Sequence, residues 1–162
     1  MLQKLKIENF TTQSGYQLDL QLSYETFGQQ LVEAPVILVN HALTGNSHVS
    51  GPDGWWNEII GDDKCIDTRK YSILSFNIPG NGYDGFLIEN YKEFVAQDVA
   101  RAFLKGLELL EIESLFAIIG GSLGNLFDRI YYYAVPDFID IHLSNFHWFI
   151  FNVADIFITV GI

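Results

Sequence analysis

An α/β fold built on a mostly parallel sheet is what this sequence predicts, and three observations carry the prediction. The runs Pro35-Val36-Ile37-Leu38-Val39 and Tyr71-Ser72-Ile73-Leu74-Ser75-Phe76 have the composition of strands buried on both faces. Between residues 91 and 110, Val95, Val99, Phe103, Leu107 and Leu110 recur three or four apart, the period of an amphipathic helix. A short apolar run, Leu115 to Ile119, follows that helix. Strand, helix and strand in succession make a crossover unit, which places the flanking strands parallel.

The elements follow in order. Leu5–Phe10 and Tyr16–Tyr24 read as two strands about a Ser14-Gly15 turn, with Leu18, Leu20 and Leu22 alternating onto one face. This amino-terminal hairpin is antiparallel. The strand at 35–39 comes next, then the strand at 71–76, closed by Pro79-Gly80. The helix over Tyr91–Leu110 leads to the strand at 115–119, which runs directly into Gly120-Gly121-Ser122-Leu123-Gly124. Leu126–Tyr133 is expected to be the helix leaving that turn, although three successive tyrosines cannot share one face. Beyond Pro136 neither a helical nor an alternating pattern holds.

Twenty acidic against nine basic residues give a formal charge of −11. That balance argues against nucleic acid or an anionic membrane as partner, since both require a basic surface. The single cysteine, Cys65, excludes an internal disulfide and any cysteine-rich metal site. The amino terminus shows no apolar core of a signal peptide, so a cytoplasmic location is expected. Past residue 125 the composition changes: aromatic residues crowd together, lysine is absent, and Arg129 is the one basic residue. His142, Ser144, Asn145, His147, Asn152 and Asp155 interrupt the apolar tail, so it does not read as a membrane span.

The chemistry centres on Ser122. A buried strand feeding G-x-S-x-G is the signature of a nucleophile elbow, in which a strained turn lifts the serine hydroxyl above the sheet. Such a hydroxyl needs a base to take its proton and an oxyanion hole to hold the tetrahedral intermediate. The backbone N–H of Leu123 is positioned to supply half of that hole. The loop after the strand at 35–39 reads Asn40-His41-Ala42-Leu43-Thr44-Gly45-Asn46-Ser47-His48, and Gly45 there allows a sharp turn that would direct the Leu43 N–H to the same point. His41 precedes the serine and sits in this loop, so it reads as a structural histidine rather than the base. His41 and His48 lack a third ligand nearby, and no metal site is expected. Gly80-Asn81-Gly82-Tyr83-Asp84-Gly85 lacks the spacing of a phosphate-binding loop and reads as a turn over the end of the sheet.

Taken together, the segment 40–50 (NHALTGNSHVS), then Gly54-Trp55-Trp56, Ile60-Gly61, Ile66-Asp67-Thr68 with Tyr71, and the elbow from Ile118 to Gly124, resemble the homoserine O-acetyltransferases of the α/β-hydrolase fold. The resemblance covers roughly residues 5–124. It implies that Ser122 carries an acetyl group from acetyl-CoA to the homoserine hydroxyl in methionine biosynthesis, with the Leu43 and Leu123 amides as oxyanion hole. No bound cofactor is implied; acetyl-CoA and homoserine are the small-molecule partners. Asn125 stands where the family has a further glycine, and Arg129 cannot be matched to the family's substrate arginine.

These readings divide the chain into residues 1–124, the amino-terminal part of an α/β-hydrolase domain, and 125–162, an atypical aromatic-rich tail of the kind a truncation or shifted reading frame produces. An incomplete sheet exposes an edge, so homodimerisation or aggregation is expected. The catalytic acid and histidine are not identified. A substitute would need His142 or His147 as base with Asp137, Asp140 or Asp155 behind it, and its spacing is poor. The alternatives to an acyltransferase are a serine ester hydrolase, in which water takes the acyl group, and a non-enzymatic remnant.

Overall fold

The computed structural model describes residues 1–42, 45–120, 139–143 and 146–151. It divides into two compact units, residues 1–118 and 119–162. Nine strands and one α-helix are described: β1 (Gln3–Thr11), β2 (Gln17–Gly28), β3 (Val36–Val39), β4 (Ile60–Gly61), β5 (Ile66–Asp67), β6 (Ser72–Phe76), α1 (Ala96–Leu109), β7 (Ala117–Ile119), β8 (Ile139–Leu143) and β9 (Phe146–Phe151).

Five of the strands form one sheet in the order β1-β2-β6-β3-β7. β1 and β2 pair antiparallel, β2 pairs antiparallel with β6, and β3 pairs parallel with β6. The antiparallel hairpin leading into a parallel sheet is therefore present. So is the adjacency of the strands at 36–39 and 117–119, on which the crossover reading depends. β2 runs on to Gly28, beyond the expected end at Tyr24, because Glu25, Thr26, Phe27 and Gly28 find partners along β6. Two paired dipeptides, β4 and β5, have too few residues to show any period in sequence.

The helix begins later than its periodicity suggests. Tyr91–Glu93 form a single 3-10 turn, Phe94 and Val95 are extended, and α1 starts at Ala96. Its buried stripe is also displaced from the expected one. Asp98, Ala102 and Gly106 are buried, while Val95 is exposed and Phe103 and Leu107 pack from the sides. The reason is close approach to the sheet. A Cβ on Gly106 would stand 2.6 Å from Leu22 Cδ2 and 2.8 Å from Phe76 Cζ, so only small residues fit the centre of the contact. The core on this face comprises Leu20, Leu22, Val36, Leu38, Leu74 and Phe76 with Ala102.

α1 ends in a Schellman arrangement. Ile112 N–H donates to Leu107 O at 3.0 Å and Glu111 N–H to Glu108 O at 3.1 Å. Glu111 sits at φ 57° in the left-handed position usually given to glycine. At the other end the Asp98 carboxylate accepts from Val95 N–H at 3.2 Å and from Gln13 N–H at 2.9 Å, joining the helix start to the β1–β2 turn. β8 and β9 form a separate antiparallel pair with His142 opposite His147. The helix expected over Leu126–Tyr133 lies outside the described residues.

Candidate functional site

In an open α/β sheet the loops beyond the carboxyl ends of parallel strands form the ligand crevice. Here β3 and β6 pair in parallel and β7 is next to β3 in the sheet, and the residues that follow β3 and β6, from Asn40 and from Asn77, were singled out by sequence. Ser122, Leu123 and Leu43 themselves lie outside the described residues, as do the Asp137 and Asp155 considered for a substitute triad.

A polar network holds the loop after β3. Glu25, near the end of β2, is buried. Its Oε2 accepts from Ser47 Oγ at 2.9 Å, and its Oε1 lies 3.2 Å from His48 Nδ1. Asn77, the first residue after β6, accepts Ser47 N–H on Oδ1 at 2.8 Å and donates through Nδ2 to Ser23 Oγ at 3.0 Å and Ser47 Oγ at 2.9 Å. Two separate segments, the end of β2 and the start of the loop after β6, thus fix Ser47 by side chain and backbone together. Burial of these groups is tolerable because each is satisfied. Pairing of this kind was not foreseen from sequence, since β2 must reach Glu25 before the contact can exist.

Upstream, the turn is closed by Gly45 N–H donating to Ala42 O at 2.8 Å. A Cβ on Gly45 would lie 3.1 Å from His41 Cβ, so a larger residue would crowd the turn. His41 is buried, with Nδ1 2.7 Å from Ala42 O and Nε2 3.3 Å from the Ile78 N–H. These partners assign the Nδ1–H tautomer, and burial lowers the imidazole's affinity for a proton. Both nitrogens are occupied by backbone. His41 is a structural residue of the loop, as its position in sequence suggested. Beside it, Asn40 Oδ1 is buried and finds no partner among the described residues.

The Gly80–Gly85 segment forms turns after β6, closed by Asn81 N–H to Ile78 O at 3.1 Å and Gly85 N–H to Gly82 O at 3.1 Å. Among the described residues no group of three or more His, Cys, Asp or Glu is placed to hold a metal ion, and no helix is long and apolar enough to cross a membrane. A groove of about 1350 Å³ is lined by Val36, Leu107, Ile112, Leu115 and Phe116 among others. It opens at the amino end of β3, away from the strand ends that carry the candidate chemistry.

Sheet order and the likeness to solved structures define the class: a partial α/β-hydrolase fold. The chain is homologous to homoserine O-acetyltransferases over most of its length. It is 34% identical over 153 residues to the homoserine O-acetyltransferase of Methanosalsum zhilinae, covering 82% of this chain and 31% of that one. The homoserine O-acetyltransferase of Staphylococcus aureus superposes with a TM-score of 0.62 at 30% identity, covering 82% of this chain and 42% of that structure. Esterase E22 superposes equally well, TM-score 0.62 at 28% identity, over 78% of this chain and 42% of its own. The chain spans about a third of the length of the curated transferases it matches.

A second family enters at the carboxyl-terminal side. The model of the signal peptidase (SPase) II family matches residues 93–162. The lipoprotein signal peptidase of Pelagibacter ubique is 69% identical over 48 residues, 29% of each chain. A match covering 82% of this chain must include residues 120–124 wherever it starts, so the glycine turn is shared by both resemblances. Up to Ile118 the residues are folded into the unit that contains the hydrolase sheet.

Proposed function

We propose that residues 1–124 carry the nucleophile elbow and oxyanion loop of a homoserine O-acetyltransferase. Ser122 is the nucleophile for the acetyl group of acetyl-CoA, Leu43 and Leu123 supply the oxyanion amides, and the homoserine hydroxyl is the acceptor, in cytoplasmic methionine biosynthesis. The observation that carries this reading is the match to the transferases, which takes in both residues 40–50 after β3 and the sequence 120–124 that follows β7, two strands adjacent in the sheet.

The two sites act in sequence. Ser122 Oγ would attack the thioester carbonyl, and charge developing on its oxygen would meet the two backbone N–H groups, which need no reorganisation as the barrier is crossed. Of the two histidines in the loop after β3, His41 is bonded at both ring nitrogens, and His48 is held through Nδ1 by Glu25, a residue with no part in the elbow. Acetyl transfer by this chain alone is therefore small, because oxyanion stabilisation without a base leaves only a remnant of the rate.

The test is rapid mixing with acetyl-CoA, with homoserine acylation and ester hydrolysis followed in parallel. Little or no acetyl-enzyme burst is expected. A stoichiometric burst abolished by Ser122→Ala would show that a base is present and direct the search to residues 137–155. Ester hydrolysis exceeding transfer would favour the hydrolase alternative, in which water reaches the acyl-enzyme.

The 69% identity over 48 residues supports a second reading for the carboxyl-terminal part, as a segment of a lipoprotein signal peptidase. On this reading the change of composition near residue 125 marks the joining of two unrelated coding sequences, rather than a shifted frame within one. Amplification across codons 110–135 from source DNA tests it. One uninterrupted product supports a joined gene; separate loci for the two parts would refute a natural fusion.

A further inference from the structure

His48 and Glu25 belong to no step assigned above, yet they make an oriented imidazole–carboxylate pair. The Glu25 side chain is 5% exposed and that of His48 is 34% exposed, so a buried acid holds a ring that reaches solvent. Nδ1 lies 3.2 Å from Glu25 Oε1 and donates its proton there, which leaves the lone pair on Nε2. Among the described residues nothing bonds to that nitrogen. Glu25 is held in turn by Ser47 Oγ at 2.9 Å, and the amino-terminal nitrogen of Met1 stands 3.8 Å from Oε1. His41 is the contrast within the same loop: buried and bonded at both nitrogens.

One aromatic ring packs against the imidazole. Phe27 meets the His48 ring edge-on at 5.8 Å between centroids. Trp55, whose backbone N–H donates to His48 O at 3.2 Å and whose indole N–H donates to Asn46 O at 2.9 Å, is 40% exposed and lies 4.7 Å from the Trp56 ring. A planar aryl group would find the Phe27 ring as an apolar neighbour beside the imidazole.

We propose that His48 is an acyl-accepting nucleophile, giving this chain a hydrolytic activity toward small acyl esters of aromatic alcohols that does not depend on Ser122. The His48 Nε2 lone pair attacks the acyl carbon and the aryl oxide leaves with the bonding pair. The acylimidazolium passes its Nδ1 proton to Glu25, giving a neutral acylimidazole. Water adds to the acyl carbon and releases one proton to solvent. The C–N bonding pair returns to Nε2 and Glu25 returns the Nδ1 proton. Ester and water have become carboxylic acid, aryl oxide and a proton.

The experiment uses the full chain carrying Ser122→Ala throughout, so failure of the serine reading cannot imitate failure of this one. p-Nitrophenyl acetate is the probe. His48→Asn keeps an amide donor at the Nδ1 position while removing Nε2, and is expected to lower hydrolysis by about tenfold or more. Glu25→Gln should lower it by a smaller factor, since the acid orients the ring and holds its proton. In parallel, mapping of diethylpyrocarbonate adducts should find His48 modified readily and His41 protected. Unchanged hydrolysis in the folded His48→Asn protein, or faster modification of His41 than of His48, would overturn the proposal. Because adduct mapping needs no variant, a His48→Asn chain that fails to fold still leaves a decisive measurement.

Discussion

Ile78 donates its backbone N–H to Nε2 of His41 at 3.3 Å, tying the loop after β6 to the loop after β3. The same ring gives its other proton to Ala42 O. A neutral imidazole is required for both bonds, since Nε2 must accept. Protonation therefore breaks the link.

Stability should reflect this. Burial lowers the His41 pKa below its ordinary 6.5, so the unfolded chain binds the proton more tightly than the folded one. The contribution is complete above pH 6.5 and is lost as pH falls from there toward the folded value. The slope of that loss approaches about 1.4 kcal/mol per pH unit for one proton. Denaturant melts from pH 7.5 to 5 should show it, and His41→Asn should flatten the curve. An equal acid slope in the variant would assign the loss to another group.

Asp98 links α1 to the β1–β2 turn through Val95 and Gln13, and Arg101 Nη1 sits 3.2 Å from Oδ1. Asp98→Ala strands two backbone donors where the carboxylate was wholly buried. A cost of about 2–4 kcal/mol is expected. Asp98→Asn should cost less, because its amide oxygen still accepts one of the bonds. Urea titration of both variants against the parent measures the order, and a loss under 1 kcal/mol for alanine, roughly the worth of one neutral hydrogen bond, would contradict the account.

Glu111 holds a left-handed backbone conformation at the end of α1 with no side-chain need for it. Glycine reaches that conformation without a Cβ penalty. Glu111→Gly should therefore stabilise the folded state by about 0.5–1 kcal/mol, a reversal of the usual effect of placing glycine near a helix. A lowered melting temperature would mean that Glu111 makes a compensating contact.

Phe116 and Ile118, beside and within β7, are each 62% exposed. Apolar residues presented by a strand at the end of the described sheet order favour association between chains. Ile118→Lys should reduce concentration-dependent association in sedimentation velocity while leaving the circular dichroism spectrum unchanged. If the parent chain is monodisperse at high concentration, the exposed strand is not an association surface.

The strands were legible in the sequence because their signals are local. Val36–Val39 and Ser72–Phe76 are unbroken apolar or small-residue runs, and burial on both faces is the one environment such runs suit. His41's structural place in the loop after β3 was legible from its position in sequence, whereas the elbow read at 120–124 runs outside the described residues. α1 was recognised by its period, but its buried stripe was not. Leu22 and Phe76 decide that face by standing where any side chain on Gly106 would be, and neither is near it in sequence. The Glu25–Ser47–His48–Asn77 network was equally hidden, because four polar residues spread over 52 positions carry no pattern until the sheet brings their strand ends together. By itself the sequence determined the class of fold and the residue types available for acyl chemistry. The tertiary structure alone decided which histidine is closed off and which faces solvent, since that depends on the backbone groups and the buried carboxylate that long-range folding sets against each ring.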